Sequence, residues 1–295
     1  MNYADLSPEV RAQYPWPGAD LPVNGGRMHY VDEGPRDGKP VLFLHGNPTW
    51  SFYWRHLITG LSDRYRCVAV DHIGHGLSEK PEDWTYRLAD HIANAVKLVE
   101  HLDLRDLTVV VHDWGGAIGT GLTLAVPDRV TRLVLFNTAA FQGPVPASIR
   151  LCRVSGLGPL LVRGANGFLE GAIVRGTKRR DLFRGGTVDG YRAPYPDWRN
   201  RIGHLRFVQD IPIEAEHPTR PTIAAMEARL HDLRGRPTLI VWGMKDFCFT
   251  PAFLARWRKE LPDAEVVEYP DAGHWVVEDA NDRVVPLVRG FLDRT

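Results

Sequence analysis

The chain lacks most of what would mark a secreted, membrane-spanning or metal-built protein. It has three cysteines, Cys67, Cys152 and Cys248. They are too few and too scattered for a disulfide framework, and with no CxxC pair a cysteine zinc site is not expected. An excess of one charge is missing as well: 36 Lys and Arg stand against 36 Asp and Glu. A balance of zero offers no electrostatic footprint for nucleic acid or anionic lipid, so neither is expected as a partner. No uncharged apolar run approaches the roughly 18 residues a membrane span needs. The first twenty residues carry Asp5, Glu9 and Arg11 without an apolar segment of the secretory kind. A reduced, cytoplasmic setting is therefore the expectation. Internal repeats and low-complexity tracts are also missing.

What is present is alternation. Short apolar, β-branched runs recur at 40–46, 66–72, 107–113, 132–138, 237–243 and 264–270. Their nearly continuous apolar character predicts strands buried on both faces. Helix-like stretches at 86–102, 114–126, 221–233, 251–260 and 283–293 separate most of them. Strands alternating with helices predict βαβ units, hence an α/β fold with a mostly parallel, doubly wound sheet. The alternating run 26–34 predicts an antiparallel strand at the sheet edge. Between about 141 and 215 the strand pattern stops and Gly, Pro and Arg accumulate. That stretch predicts a helical cap inserted into a core formed by 1–140 and 216–295. Ligands of open α/β sheets bind at the carboxyl edge, which such a cap would cover.

Three strand ends carry unusual residues. The run VVVHDWGGAIG (109–119) leads a buried strand into Asp113-Trp114-Gly115-Gly116 and then a helix. Two glycines permit a sharp strand-to-helix turn, the geometry of a nucleophile elbow, with Asp113 where Gly-x-Ser-x-Gly would place serine. No Gly-x-Ser-x-Gly occurs, which disfavours a serine esterase; a plain helix cap is the bland reading of Asp113. The second strand end is His45-Gly46-Asn47-Pro48, whose amide at Asn47 could pair with that of Trp114 to form an oxyanion hole. A simple Gly-Asn-Pro turn reads equally well there. The third feature is Asp246 after one late strand and His274 after the next. Nucleophile, acid and base then follow in the order Asp113, Asp246, His274.

Those segments carry a resemblance. HGNPTWSFYWR, DHIGHGLSEKP, HDWGGAIG, WGMKDFCF and DAGHWVVED together resemble the α/β-hydrolase fold, specifically its haloalkane dehalogenase branch. The segments GPLLVRGANGF and APYPDWRNRIGHLRFVQDIP are also similar to the β-lactone decarboxylases of bacterial long-chain olefin biosynthesis. The resemblance implies a halide- or oxygen-binding pair, Asn47 and Trp114, and makes Asp246 the acid, because Asn137 stands where another subgroup keeps Glu. It implies neither metal nor cofactor. For a small apolar substrate the expected pocket residues are Trp275, Phe168, Leu161 and Phe247, although Leu161, Phe168 and Trp275 would serve as well to anchor the cap. His72 and His75 have metal-like spacing but no third ligand, so a structural role is expected. Gly119 and Gly121 lack the third glycine of a dinucleotide site.

Asp113 would displace a leaving group from sp³ carbon and form an ester, and His274, oriented by Asp246, would activate the water that frees it. Haloalkane dehalogenation is the first expectation. The same residues could instead open and decarboxylate a cis-dialkyl β-lactone, a reaction whose relatives work within multi-enzyme assemblies. Epoxide hydrolysis would need cap tyrosines as donors, for which Tyr191 and Tyr195 are candidates. A catalytically silent binding module is disfavoured by the intact triad.

Overall fold

The computed structural model describes residues 1–181 and 183–295. Eight strands are formed: β1 (Ala19–Val23), β2 (Gly26–Glu33), β3 (Pro40–Leu44), β4 (Arg66–Val70), β5 (Leu107–Asp113), β6 (Val130–Thr138), β7 (Thr238–Gly243) and β8 (Glu265–Tyr269). They make one sheet in the order β1-β2-β4-β3-β5-β6-β7-β8. All pairings from β4 through β8 are parallel, and β2 runs antiparallel to both β4 and β1. After β3 the chain moves outward to β4, then returns to place β5 on the other side of β3. The strand order therefore reverses between β3 and β5, which opens a crevice at their carboxyl ends.

The continuous apolar runs follow from helices on both faces. In β3, Val41 and Phe43 enter one core while Leu42 and Leu44 enter the other. In β5, Val109 and Val111 face the helices Leu88–His101 and Trp114–Ala125, and Val110 faces Arg55–Leu61 and Asn281–Arg294. Side chains alternate along a strand, so both faces must be apolar when both are covered. Each fully buried aliphatic side chain contributes roughly 1.5–3 kcal/mol of transfer free energy.

The sheet edges differ from expectation. The strand 26–34 is not the edge, because β1 pairs outside it through a two-residue Asn24-Gly25 turn. Pro22 in β1 hid that strand from a pattern search, yet an edge strand tolerates proline. At the other edge β8 is only partly buried, with Glu265 and Glu268 exposed, as suits a strand that must resist further pairing.

Between β6 and β7 the described residues form helices only, including Ala147–Cys152, Gly167–Gly176, Gly186–Arg192, Ile202–Gln209 and Arg220–Ala228. Polar groups pin this insertion to the core. The Tyr191 hydroxyl donates to Glu278, which pairs with Nη1 and Nη2 of Arg55. Burial would raise the Glu278 carboxyl, but Arg55 and His56 outweigh it and hold it down to about 2. Asp279 accepts the amides of Lys178 (2.8 Å), Arg179 (3.0 Å) and Gly273 (2.7 Å), tying the insertion to the loop that carries His274.

The turn after β5 depends on two missing side chains. A Cβ on Gly115 would lie 2.0 Å from the Leu44 carbonyl oxygen, and one on Gly116 would lie 1.7 Å from the Thr138 hydroxyl. Gly171, inside a helix of the insertion, has nothing within 4 Å. Gly115→Ala should therefore destabilise by about 3 kcal/mol or more, because backbone stands in the way. Gly171→Ala should be neutral or stabilise by up to about 1 kcal/mol. Urea unfolding of the two variants checks this, and equal midpoints would contradict the close-approach argument.

Candidate active site

The carboxyl ends of β3 and β5 bring Asn47 and Asp113 together at the crevice. Asp113 has φ 52° and ψ −125°. A non-glycine residue held there costs on the order of 1–3 kcal/mol and persists only where its surroundings impose it. The Thr138 hydroxyl donates to its carbonyl, and the Asn47 amide donates to carboxylate Oδ1 at 2.7 Å. The Trp114 amide is a second backbone donor to the same carboxylate. The side chain is nearly buried but borders a cavity.

His274 lies across from it. Its Nδ1 is 2.8 Å from Asp246 Oδ2, and its Nε2 is 3.8 Å from Asp113 Oδ2. A carboxylate can only accept, so Nδ1 carries a proton toward Asp246 and Nε2 is the nitrogen that faces Asp113. The 3.8 Å gap is too long for a hydrogen bond. Three further bonds hold the imidazole and its partner. His112 Nε2 donates to the His274 carbonyl at 2.9 Å, Asn137 Nδ2 donates to Asp246 Oδ2 at 2.9 Å, and the Cys248 amide donates to Asp246 Oδ1 at 2.6 Å. Asn137 is itself fixed by the Gly243 carbonyl and amide.

Burial raises the Asp113 carboxyl above its usual range, and the His274 charge and the two amides offset part of that rise. Burial would lower His274, but the Asp246 charge and hydrogen bond, helped by Asp113, carry it above its usual value. The thiol of Cys248 is pushed well up, chiefly by burial, so it remains protonated and packs.

The cavity beside Asp113 measures about 250 Å³. Asn47, Asp113 and Trp114 form its polar end, and its walls are largely apolar, with Phe141, Ile149, Phe168, Ile213 and Phe249 among them. Such a space accepts an alkyl chain whose reacting carbon stops at the carboxylate.

This geometry has counterparts among known proteins. The α/β-hydrolase fold model matches residues 39–281. The chain belongs to the α/β-hydrolase fold family. It is 42% identical over 282 residues to a cis-3-alkyl-4-alkyloxetan-2-one decarboxylase of Shewanella oneidensis, covering 93% of this chain and 88% of that one. It is 36% identical over 288 residues to haloalkane dehalogenase 2 of Mycobacterium tuberculosis, covering 96% and 97%. Haloalkane dehalogenase DatA from Agrobacterium tumefaciens superposes with TM-score 0.82 at 28% identity, covering 94% and 96%. The protein is thus an enzyme of the haloalkane dehalogenase-like branch of the α/β-hydrolases.

Within this α/β-hydrolase the expected pocket residues separate. Phe168 lines the cavity, while Trp275, Leu161 and Phe247 do not border it. Trp275 is fully buried and stacks on Tyr191 at 4.7 Å, so it anchors the insertion to the core. Phe247 lies beneath the Arg175 guanidinium at 4.2 Å. Tyr191 and Tyr195 do not border the cavity either: the first is taken up by Glu278 and the second accepts the Gly76 amide at 3.0 Å. Neither hydroxyl is placed to protonate an epoxide, which removes the main support for that reading.

A structural role is the expectation for His75, and the structure shows which partner it supports. This fully buried side chain donates from Nε2 to Asn47 Oδ1 at 3.1 Å. Asn47 Nδ2 in turn donates to the His204 carbonyl at 3.1 Å. The amide is thereby fixed with its remaining N–H available to the cavity. No spacing rule finds this pair, because the contact joins two loops 28 positions apart.

Two expectations follow. The raised His274 value separates two roles by the sign of the pH dependence: a neutral base makes turnover rise with pH through it, and a cation that steadies the Asp113 carboxylate makes turnover fall. Asp246→Asn removes the charge that raises that value and should move the transition to lower pH, read from kcat/KM profiles. His75→Leu should slow turnover roughly ten- to a hundredfold by loosening Asn47, without loss of fold by circular dichroism. Unchanged kinetics would remove His75 from the positioning set.

Proposed function

We propose that Asp113 is a nucleophile toward sp³ carbon and that the substrate is a cis-3,4-dialkyl β-lactone, which leaves as alkene and carbon dioxide. The reading is carried by one observation: a carboxylate that accepts two backbone amides faces a mainly apolar cavity, in a chain that resembles a β-lactone decarboxylase more closely than a dehalogenase over a similar length. Residues 141–215 serve as the cap over this site, with 1–140 and 216–295 as the core.

The proposed chemistry balances without water. Asp113 Oδ2 attacks the ring carbon bonded to oxygen. That C–O bond breaks, the new bond forms with inversion, and the ring opens to a carboxylate. Asn47 Nδ2 and the Trp114 indole, both donors, are the groups for this anion. In the second step the C–CO₂ bond breaks, its electron pair becomes the double bond, and the bond to Asp113 breaks. Inversion followed by anti elimination keeps the two alkyl groups cis. In this scheme His274, with its raised value, stabilises the Asp113 carboxylate each time it is released.

Haloalkane dehalogenation is the second reading, favoured by the Asn47–Trp114 pair and the 36% identical relative. There halide leaves, the Asn47 and Trp114 amides hold the ester oxygen, and His274 Nε2 takes a proton from the water that cleaves the ester.

A parallel assay separates the two. The first reading expects alkene from a cis-dialkyl β-lactone, little bromide from bromoalkanes, and no solvent ¹⁸O in the Asp113 peptide after one turnover. Bromide release with ¹⁸O entering Asp113 would select dehalogenation, and His274→Phe should then trap the alkyl ester. Undiminished activity of Asp113→Ala on both substrates would end both readings.

A further inference from the structure

Whole-chain neutrality conceals a division of charge. Residues 141–215 hold twelve Lys and Arg against six Asp and Glu, so the insertion is positive by six and the rest of the chain negative by six. Apolar exposure is divided the same way. Among the described residues seven large apolar side chains are exposed, and all but Met1 lie on the insertion: Leu151, Val154, Leu157, Leu160, Val174 and Trp198. The first four recur every third residue, and Leu160 is 63% exposed.

Apolar strip and cations lie together. Arg175 Nη1 donates to Ser148 Oγ at 3.1 Å, joining the end of the helix Gly167–Gly176 to the helix that carries Leu151. Lys178 Nζ donates to the Arg175 carbonyl and Arg180 to the Val174 carbonyl, so both ammonium and guanidinium groups stay beside exposed Val174. Arg150, Arg175, Lys178 and Arg180 are all exposed. The same helix Ala147–Cys152 turns Ile149 toward the cavity and Leu151 to the outside. Several exposed large apolar side chains on one short segment are unusual at a surface and mark a contact site. Exposed apolar side chains with Lys and Arg beside them match one surface in both respects: a bilayer with anionic headgroups.

We propose that this face of the insertion seats the enzyme on an anionic lipid bilayer, with Leu151, Val154, Leu157 and Leu160 in the headgroup–acyl boundary and Arg175, Lys178 and Arg180 against the phosphates. The protein lies on the membrane and does not cross it, since no helix among the described residues is long and apolar enough to do so. Neutral composition makes anionic lipid an unexpected partner, and the proposal rests instead on how the charge is distributed. The inference does not depend on which reaction Asp113 performs.

Flotation of the full chain with phosphatidylglycerol–phosphatidylcholine vesicles tests it. Binding is expected at low salt, weaker binding at high salt and much weaker binding to pure phosphatidylcholine. The triple variant Leu151→Ser, Leu157→Ser, Leu160→Ser should bind at least about tenfold less tightly. Arg175→Gln, Lys178→Gln and Arg180→Gln should each cost roughly fivefold. All these side chains are exposed and outside the catalytic set, so melting temperature and turnover of a short, soluble substrate should hold. Three results would overturn the proposal: no flotation at low salt, flotation indifferent to both sets of variants, or a solution oligomer that the triple serine variant dissolves.

Discussion

Everything at the crevice depends on holding one aspartate in a backbone conformation it would not choose. Asp113 sits at positive φ because the strand before it is buried on both faces and the helix after it is pressed onto the end of β3. Gly115 and Gly116 permit that approach, and Thr138 catches the turned carbonyl. The result is a carboxylate projected into the crevice from a rigid frame, within reach of the Asn47 and Trp114 amides. Local strain is compensated by cohesion on all sides, which is the usual condition for strain at a site.

Burial then acts on the charges in opposite directions. It penalises ionised Asp113 and would also neutralise His274, yet Asp246 favours the imidazolium and the imidazolium charge favours ionised Asp113. The Asn47 amide on Asp113 Oδ1 is oriented before any reaction, so an oxyanion formed at that atom meets a donor already in place. Behind these groups His75 and Asn137 do comparable positioning: one sets the Asn47 amide, the other donates to the Asp246 carboxylate.

The insertion has three faces with separate tasks. One closes the cavity with Phe168, Ile149 and Ile213. One locks onto the core through Tyr191, Trp275 and the Asp279-bound turn. The third is exposed, apolar and cationic. Aromatic residues in the insertion and near His274 were distributed among these tasks by packing, which is why Phe168 and Trp275 end on different faces although both suit a pocket by type.

The sequence alone determined the sheet's central strands, because burial on both faces leaves an unbroken apolar run, and it determined the order of Asp113, Asp246 and His274, because each follows a strand end. The turn chemistry of Asp113-Trp114-Gly115-Gly116 was equally local. Tertiary structure decided what local pattern does not carry. It placed β1 outside β2 despite Pro22, gave Tyr191 to Glu278, put Trp275 in the anchor, and joined His75 to Asn47. The physical reason is reach: periodicity and turn preference act over a few residues, whereas a side chain's partner is chosen by which loops the fold brings together.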